Sequence, residues 1–191
     1  MQKDYLKLLE LNSKKFKEIH KEIFDIAIYG SFVKGKNDFN DVDIIIIFIE
    51  TNLEKRLEIG QKFKERIKEE IKNIDIKTMN IKELFDANFL ARQGLLIAGI
   101  SLIKNKRLAE ILGFKGYSLF TYNLKNLNHN DKTKFTYILI GRNSEGIIKS
   151  LKGKQLGKGA VKIPIENSSQ FSEFLDKWKV EYRKSDILEA I

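Results

Sequence analysis

The chain has 191 residues, of which 42% are hydrophobic and 32% charged, and its formal net charge is +9. This length accommodates one ordinary domain, or a catalytic domain with a small addition. The absence of cysteine excludes a disulfide framework, a thiolate zinc site and a cysteine nucleophile. With only two histidines, a bound metal would need carboxylate ligands, which favours a hard cation such as Mg²⁺. The positive charge is compatible with a phosphate-bearing partner or substrate.

The amino-terminal residues are charged throughout and lack the apolar run that precedes a cleavage site. The longest apolar run, residues 44–49, is far shorter than the ~20 residues that a membrane-spanning helix needs. We therefore expect a cytoplasmic protein with no membrane partner.

The first part of the chain alternates between helix and strand patterns, which predicts an α/β fold with a small mixed sheet and packed helices over residues 1–116. The predicted helices span 3–22, 52–72, 81–98 in two pieces, and 106–114, with Thr51 as the candidate cap of the second. The predicted strands span 24–30, 41–49, 74–80 and 100–105. The strand at 41–49 is apolar on both faces beyond Asp43, which indicates a central, covered position.

Residues 117–191 change in character and are predicted to form a compact α+β addition. Residues 117–128 are ambiguous between strand and helix. The following predicted elements are a helix at 130–142 capped by Asn130 or Asp131, turns with a hairpin over 141–159, a strand at 160–165, a helix from Ser168 or Ser169 to Trp178, and a closing strand at 179–183. Phe171, Phe174 and Trp178 recur at helical spacing, which predicts core packing.

A short stretch around two apolar strands carries the candidate chemistry. One strand ends in Gly30 and Ser31, and after a polar turn the next strand opens with Asp41 and Asp43. Because side chains alternate along a strand, the two carboxylates are expected on one face about 7 Å apart, where they repel each other if unpaired. A divalent cation would remove that repulsion. Gly30 would let the backbone approach a phosphate, to which Ser31 could donate.

Each of these features also has an ordinary explanation. A Gly-Ser pair after a strand is usually only a turn, and Asp-x-Asp at a strand entrance is usually a solvated loop end. A further carboxylate, Asp75, lies within the apolar run 74–76. A charge at the centre of a short strand costs free energy unless it is paired or bound to a metal. Three such carboxylates together therefore indicate a functional site.

In this order the motifs resemble the signature of the DNA polymerase β-like nucleotidyltransferase superfamily, most of all its small minimal members from archaea and bacteria. The resemblance covers about residues 20–115 and is most specific in the Gly-Ser and Asp-x-Asp motifs. Two departures are visible: the loop between Gly35 and Asp41 is one residue shorter than is common, and Asn40 stands where a serine is frequent. Neither removes an expected ligand.

The resemblance implies a role for each motif residue. Gly30 and Ser31 would bind the triphosphate of an incoming NTP. Asp41, Asp43 and Asp75 would bind two Mg²⁺ ions. Asp75 would also act as the general base that activates the attacking hydroxyl. Two such ions, about 3.5–4 Å apart, stabilise both ends of an in-line displacement at the α-phosphorus.

The implied function is Mg²⁺-dependent transfer of a nucleoside monophosphate from an NTP, foremost ATP, to a hydroxyl acceptor. The acceptor stays open between an RNA end, a protein hydroxyl, as the resemblance to members in toxin–antitoxin pairs suggests, and a small molecule. The alternative is a non-catalytic module that binds nucleic acid or protein and retains the fold. The intact set of three acidic residues favours the enzyme.

Lysines alternate with glycines over residues 149–162, and Lys152, Lys154 and Lys158 are candidate acceptor-binding residues. A basic hairpin of this kind could follow a nucleic-acid backbone. A solvated hairpin in a lysine-rich protein explains the pattern at least as well. Because every candidate catalytic residue precedes position 80, we expect residues 117–191 to select the acceptor.

Overall fold

The chain folds into two compact units, Met1–Leu112 and Gly113–Ile191, called the first and second unit below. The computed structural model describes residues 2–30, 32–34, 41–71, 73–86, 88–89, 91–142 and 144–191. Within these residues, no helix is both long enough and apolar enough to cross a membrane.

The first unit is built on a five-stranded mixed sheet with the strand order β3-β2-β1-β4-β5. Its strands are β1 (Ile23–Tyr29), β2 (Val42–Phe48), β3 (Ile74–Asn80), β4 (Ile100–Ser101) and β5 (Lys106–Arg107). Its helices are α1 (Gln2–Ile19), α2 (Leu53–Ile67), α3 (Arg92–Ala98) and α4 (Leu108–Ile111), with 3₁₀ turns at Phe32–Lys34 and Ile81–Phe85. β2 and β3 are parallel, whereas β1 runs antiparallel to both β2 and β4.

The isoleucine-rich strand β2 explains why this sheet is covered on both faces. Ile44 and Ile46 are fully buried in one core, into which Phe16 and Phe63 also pack. Ile45 and Ile47 face a second core on the other side. Because side chains alternate across a strand, a run that is apolar at every position needs helices on both sides. The predicted central, covered strand is confirmed.

The second unit contains a four-stranded antiparallel sheet with the order β7-β8-β6-β9. Its strands are β6 (Phe114–Tyr122), β7 (Lys154–Gly157), β8 (Ala160–Pro164) and β9 (Tyr182–Ala190). Its helices are α5 (His129–Ile140), α6 (Ile147–Ser150) and α7 (Ser168–Lys177), with a 3₁₀ turn at Ile165–Asn167. The predicted fold class, a small mixed sheet with packed helices and an α+β addition, is confirmed.

The aromatic residues of α7 pack into the core of the second unit, as predicted. Phe171 is fully buried, and its ring lies edge-on against Phe120 at 4.9 Å between centroids. Phe174 stacks on Phe135 at 5.3 Å, and Trp178 meets the same ring edge-on at 5.6 Å. These rings hold α7 and α5 together over one face of the sheet.

The predicted helix caps are wrong in three places. Asn52, not Thr51, caps α2, since its side chain accepts a hydrogen bond from the backbone N–H of Lys55. α5 is capped in the same way by Asn128, which precedes both predicted candidates. α7 begins after a 3₁₀ turn, and the residue at its N-cap, Asn167, makes no side-chain capping bond. At each helix start the sequence contains several neighbouring residues of the types that can cap a helix, and the residue at which the backbone enters the helix becomes the cap.

Other differences concern short or edge elements. The strand predicted at 100–105 has only two residues, because the chain turns at once into β5. The first helical piece predicted within 81–98 is a 3₁₀ turn. The ambiguous segment 117–128 is strand only as far as Tyr122. The closing strand predicted at 179–183 lies mainly further along the chain. β9 begins at Tyr182 and pairs with β6 along nine positions up to Ala190, although most of its side chains are exposed.

Candidate functional site

Two acidic residues predicted to act together face each other across the parallel pair β2 and β3. The pairing register places Asp43 directly beside Asp75 and Val42 beside Ile74. Neighbouring strands lie about 4.8 Å apart, so both carboxylates are rooted at one point of the sheet. β1, the antiparallel partner of β2, ends at the same end of the sheet, where Tyr29 pairs with Asp43 and Gly30 follows. At this end of the sheet, the end of β1 therefore lies beside the beginnings of β2 and β3.

Asp41 lies one residue before β2 and is exposed, so the alternation argument that placed it on the Asp43 face does not strictly apply. Its charge nevertheless acts on Asp43. The structure thus brings Asp41, Asp43 and Asp75 into one neighbourhood, called the acidic site below.

The electrostatics of the acidic site disfavour a negative charge on Asp43. The pKa of Asp43 is raised above its usual value, first because the side chain is partly buried and next because of the charge of Asp41. The charge of Asp75 adds to the rise, and Lys77 opposes it. A cation bound beside Asp43 would remove the like-charge contribution to this pKa.

Gly30 occupies a position that accepts no side chain. Its φ is +79°, in the left-handed region, and a Cβ atom built on it would collide with the carboxylate of Asp43. The sequence predicted this glycine as a place where backbone approaches phosphate. The structure adds a second reason, which is that Asp43 packs directly over the Gly30 backbone. Ser31, the other predicted nucleotide-binding residue, lies outside the described residues.

Asp75 is less buried than its apolar neighbours predicted. It is the second residue of an edge strand, and its side chain is 47% exposed. Its Oδ2 atom lies 3.3 Å from the Nζ atom of Lys77, two residues further along the same face. The predicted free-energy cost of burying this charge is therefore largely absent, because the carboxylate is exposed to water and forms an ion pair with Lys77.

Sequence reasoning missed Lys77, although its i+2 spacing from Asp75 could have indicated it. The pKa of Lys77 is raised, first by the interaction with the Tyr29 hydroxyl and further by its hydrogen bond to Asp75. The ammonium group thus lies at the acidic site, next to the side chain proposed as the general base.

The acidic site has the carboxylate oxygens that a hard cation prefers as ligands, but these oxygens are not arranged around one point where a cation could bind. Among the residues that the structure describes, no three His, Cys, Asp or Glu side chains are grouped so that they could hold a metal ion. Asp43 and Asp75 nevertheless supply carboxylate oxygens on one face, the ligands that Mg²⁺ prefers. Asp75 would have to leave Lys77 to share a cation with Asp43.

Asp25, which is not part of the acidic site, is buried and has a structural role in the first unit. It is fully buried within β1, and the Ser101 hydroxyl donates to its Oδ1 atom at 2.7 Å. Burial raises the pKa of this carboxyl, while the Ser101 hydrogen bond partly offsets the rise. The pair ties β1 to β4 within the sheet.

The three candidate acceptor-binding lysines of the second unit are all exposed. Lys154 lies in β7, opposite Lys162 of β8, and Lys158 lies in the turn between these two strands. Lys152 precedes the hairpin in a left-handed conformation, with φ of +55°. Lys162 is occupied by Glu189, whose two oxygens each lie 2.7 Å from its Nζ atom.

Comparison with known proteins bears on the first unit. Residues 12–99 match the family model described as polymerase beta, nucleotidyltransferase. This range contains Gly30 and the whole acidic site. The match confirms the resemblance to the polymerase β-type nucleotidyltransferases that is seen in the motifs of the first unit. A comparison with curated proteins gives no match.

Two solved structures resemble parts of the chain. A candidate nucleotidyltransferase of Sulfolobus solfataricus has 23% identity and a TM-score of 0.35, over 43% of this chain and 72% of that one. A chain from the complex of the tri-AMPylated HEPN toxin of Shewanella oneidensis with the MNT antitoxin has 18% identity and a TM-score of 0.38, over 59% of this chain and 79% of that one.

Proposed function

We propose that the first unit transfers a nucleoside monophosphate from an NTP, foremost ATP, to a hydroxyl group of an acceptor, with Mg²⁺ as cofactor. The observation that carries the proposal is the pairing of Asp43 with Asp75 at the end of the sheet where Gly30 follows β1. This arrangement presents carboxylate oxygens beside a glycine backbone, which suits a metal-bound triphosphate. The match of residues 12–99 to the nucleotidyltransferase family model supports nucleotidyl transfer in general.

In the proposed reaction, an acceptor hydroxyl oxygen bonds to the α-phosphorus of the NTP as the bond to the β-phosphate breaks. Pyrophosphate leaves, and the hydroxyl proton passes to Asp75. Gly30 and Ser31 would hold the triphosphate, while Asp41, Asp43 and Asp75 would hold the Mg²⁺ ions. When bound, two Mg²⁺ ions supply charge stabilisation for the attacking and leaving oxygens.

The distribution of charge favours an RNA end among the three acceptor classes. Residues 113–191 contain 14 Lys and Arg against 8 Asp and Glu, so they carry +6 of the chain's net +9. A basic unit lowers the free energy of a bound phosphate backbone. Lys152, Lys154 and Lys158 are the proposed contacts, and a protein or small-molecule acceptor needs none of them.

One observation favours a second candidate function, a nucleic-acid- or protein-binding module without catalysis. Lys77 pairs with Asp75, the residue proposed as metal ligand and base. In such a module the ion pair would replace the cation permanently, and the acidic site would be a structural remnant.

Transfer of label decides between the two candidates. The full chain is incubated with Mg²⁺, a cell extract and each of the four NTPs labelled at the α-phosphate. We expect label from ATP in a macromolecule, which nuclease or protease digestion then classifies as RNA or protein. Label confined to small molecules would indicate a small-molecule acceptor. No transfer from any NTP, together with tight binding to RNA or protein, would support the non-catalytic module.

A substitution of Lys77 tests whether its ion pair competes with the cation. We expect Lys77→Met to lower the Mg²⁺ dissociation constant of the NTP-bound protein by a factor of about 1.4 to 5, since an exposed pair contributes about 0.2–1 kcal/mol. Isothermal titration calorimetry measures the change. Lys62→Met, which removes an ion pair to Glu58 on the exposed side of α2, is the matched control. Unchanged or weaker Mg²⁺ binding in Lys77→Met would contradict competition.

A further inference from the structure

The second unit contains a cavity of about 580 Å³ that the proposed transfer reaction does not use. It opens between α5, the end of β6 and the turn that joins β7 to β8. Phe135 and Leu139 of α5 form its apolar floor with Tyr122 of β6, and Gln155 and Lys158 lie on its rim. We call this space the α5 cavity. Its volume falls in the range of pockets that hold small organic ligands, about 300–1,000 Å³.

The walls of the α5 cavity are held in place by specific contacts. The Tyr122 ring lies edge-on against Phe135, with 5.8 Å between centroids. The backbone N–H of Tyr122 donates to the Gly159 carbonyl at 2.8 Å, which fastens the turn to the end of β6. Gly159 has φ of +76°, and a Cβ atom there would collide with the Tyr122 carbonyl oxygen. The turn approaches β6 this closely because position 159 is glycine.

The rim of the α5 cavity carries a positive charge, that of Lys158. Lys158 forms no ion pair with any residue that the structure describes, in contrast to Lys162, which Glu189 neutralises. The surrounding unit has a net charge of +6. A ligand with an anionic group near Lys158 would therefore gain attraction from both the near and the distant charges.

We propose that the α5 cavity binds a nucleoside monophosphate group, either free or as the end of an RNA strand. The aromatic and aliphatic floor suits the flat face of a base, since base–aromatic stacking contributes about 1–3 kcal/mol per base. Asn123 and Gln155 line the cavity. Asn123 Oδ1 accepts from the Lys125 N–H and Gln155 Nε2 donates to the Gly157 carbonyl, so Asn123 Nδ2 and Gln155 Oε1 are the amide atoms that suit the polar edge of the base. Lys158 pairs with the phosphate. A long-chain acid would use the floor and the lysine but not the amides.

The proposal deepens the proposed function in one respect. If the first unit transfers nucleotides to RNA, the α5 cavity holds part of that acceptor, and this role rests on the transfer reaction. Binding of the nucleoside monophosphate group does not depend on the transfer reaction, because every residue that lines the α5 cavity lies in the second unit. Binding and transfer can therefore be measured separately and can fail separately.

Titration of the full chain with nucleotides and RNA tests the proposal. The probes are AMP, CMP, GMP, UMP and a short single-stranded RNA, each measured by calorimetry in the unaltered protein. RNA that binds at least tenfold more tightly than every mononucleotide identifies an RNA end as the source, and equal affinities identify a free nucleotide. Both results support the site, provided that the variants below weaken the binding.

Two variants place the bound group in the α5 cavity. Lys158→Glu reverses the charge at the rim, and we expect at least tenfold weaker binding. Thr136→Trp fills the space from an exposed position of α5, and we expect binding to be lost. Lys177→Glu makes the same charge reversal on the exposed side of α7, outside the cavity lining, and should change affinity much less. Circular dichroism and thermal melting establish that each variant is folded.

The outcomes separate this proposal from the transfer reaction. The proposal is judged by binding of the probes in the absence of Mg²⁺ and not by transfer, so a loss of transfer in Asp43→Asn does not bear on it. Normal binding in folded Lys158→Glu and Thr136→Trp proteins would overturn the proposal, as would the absence of nucleotide and RNA binding altogether. Binding of a fluorescent long-chain acid that no nucleotide displaces would overturn it too. Binding that the two cavity variants weaken, without any nucleotide transfer, would support the α5 cavity as a binding site and contradict only the proposed transfer reaction of the first unit.

Discussion

Asp43→Asn should reduce nucleotide transfer by about 10³-fold or more and leave the fold at least as stable as before. A metal ligand contributes several kcal/mol of transition-state stabilisation, and each 1.36 kcal/mol is a factor of ten in rate. Asparagine keeps the shape of the side chain but provides no charge to hold Mg²⁺. Asp41→Asn should act in the same direction, because its carboxylate shares the site. Label transfer from ATP at saturating acceptor measures both variants.

The stability part of this prediction follows from the pKa of Asp43. Burial and the charge of Asp41 raise the folded-state pKa above the ordinary value of 3.8. A carboxyl with a raised folded-state pKa contributes stability that is present below its unfolded-state pKa and is lost as the pH rises through its folded-state pKa. At neutral pH without Mg²⁺, the charge of Asp43 therefore opposes folding, and asparagine removes that opposition.

Thermal melting as a function of pH checks this sign. We expect the unaltered protein to lose stability relative to Asp43→Asn as the pH rises from below 3.8 toward neutrality. Glu69→Gln, an exposed acid after α2, is the control and should melt and transfer as the unaltered chain does. Full transfer activity in both aspartate variants would refute the catalytic assignment. A melting temperature of Asp43→Asn well below that of the unaltered chain would instead indicate a structural role for the carboxylate.

The elements that carry the acidic site were predictable because their patterns are local. Four consecutive isoleucines indicate a strand covered on both faces, and the structure has β2 in that position. The predicted strand at 74–80 has the observed limits. The sequence also predicted that Asp75 joins the Asp-x-Asp pair, and the register brings it beside Asp43.

The details that decide the chemistry depend on neighbours distant in the chain. Whether β3 is an edge or a central strand depends on what pairs beside it, so the exposure of Asp75 and its ion pair with Lys77 were not predictable from the run 74–76. The contact of Gly30 with Asp43 likewise arises from the pairing of β1 with β2. The bounds of β9 were predicted wrongly because an edge strand with exposed side chains lacks the apolar alternation that indicates a strand.

Gly30→Ala should have the second large effect, lowering both stability and transfer. A residue other than glycine with left-handed φ costs about 1–2 kcal/mol, and the added Cβ atom must also displace the Asp43 carboxylate. We expect the free energy of unfolding to fall by about 2–3 kcal/mol, since backbone strain and local repacking add. Transfer should be nearly lost, because the displaced Asp43 carboxylate could no longer hold the proposed Mg²⁺ ion. Chemical denaturation and the label-transfer assay measure the two effects.

Two further variants separate the backbone strain from the collision. Gly94→Ala, on α3, meets nothing within 4 Å and has no left-handed φ, so it should raise stability by about 0.5–1 kcal/mol and leave transfer intact. In an Asp43→Ala background the carboxylate is absent, and Gly30→Ala should then cost only the strain of its φ. A cost in that background equal to the cost in the unaltered chain would show that Asp43 does not pack on Gly30. The coupling between the two positions thus reports directly on the contact that orients the central carboxylate of the acidic site.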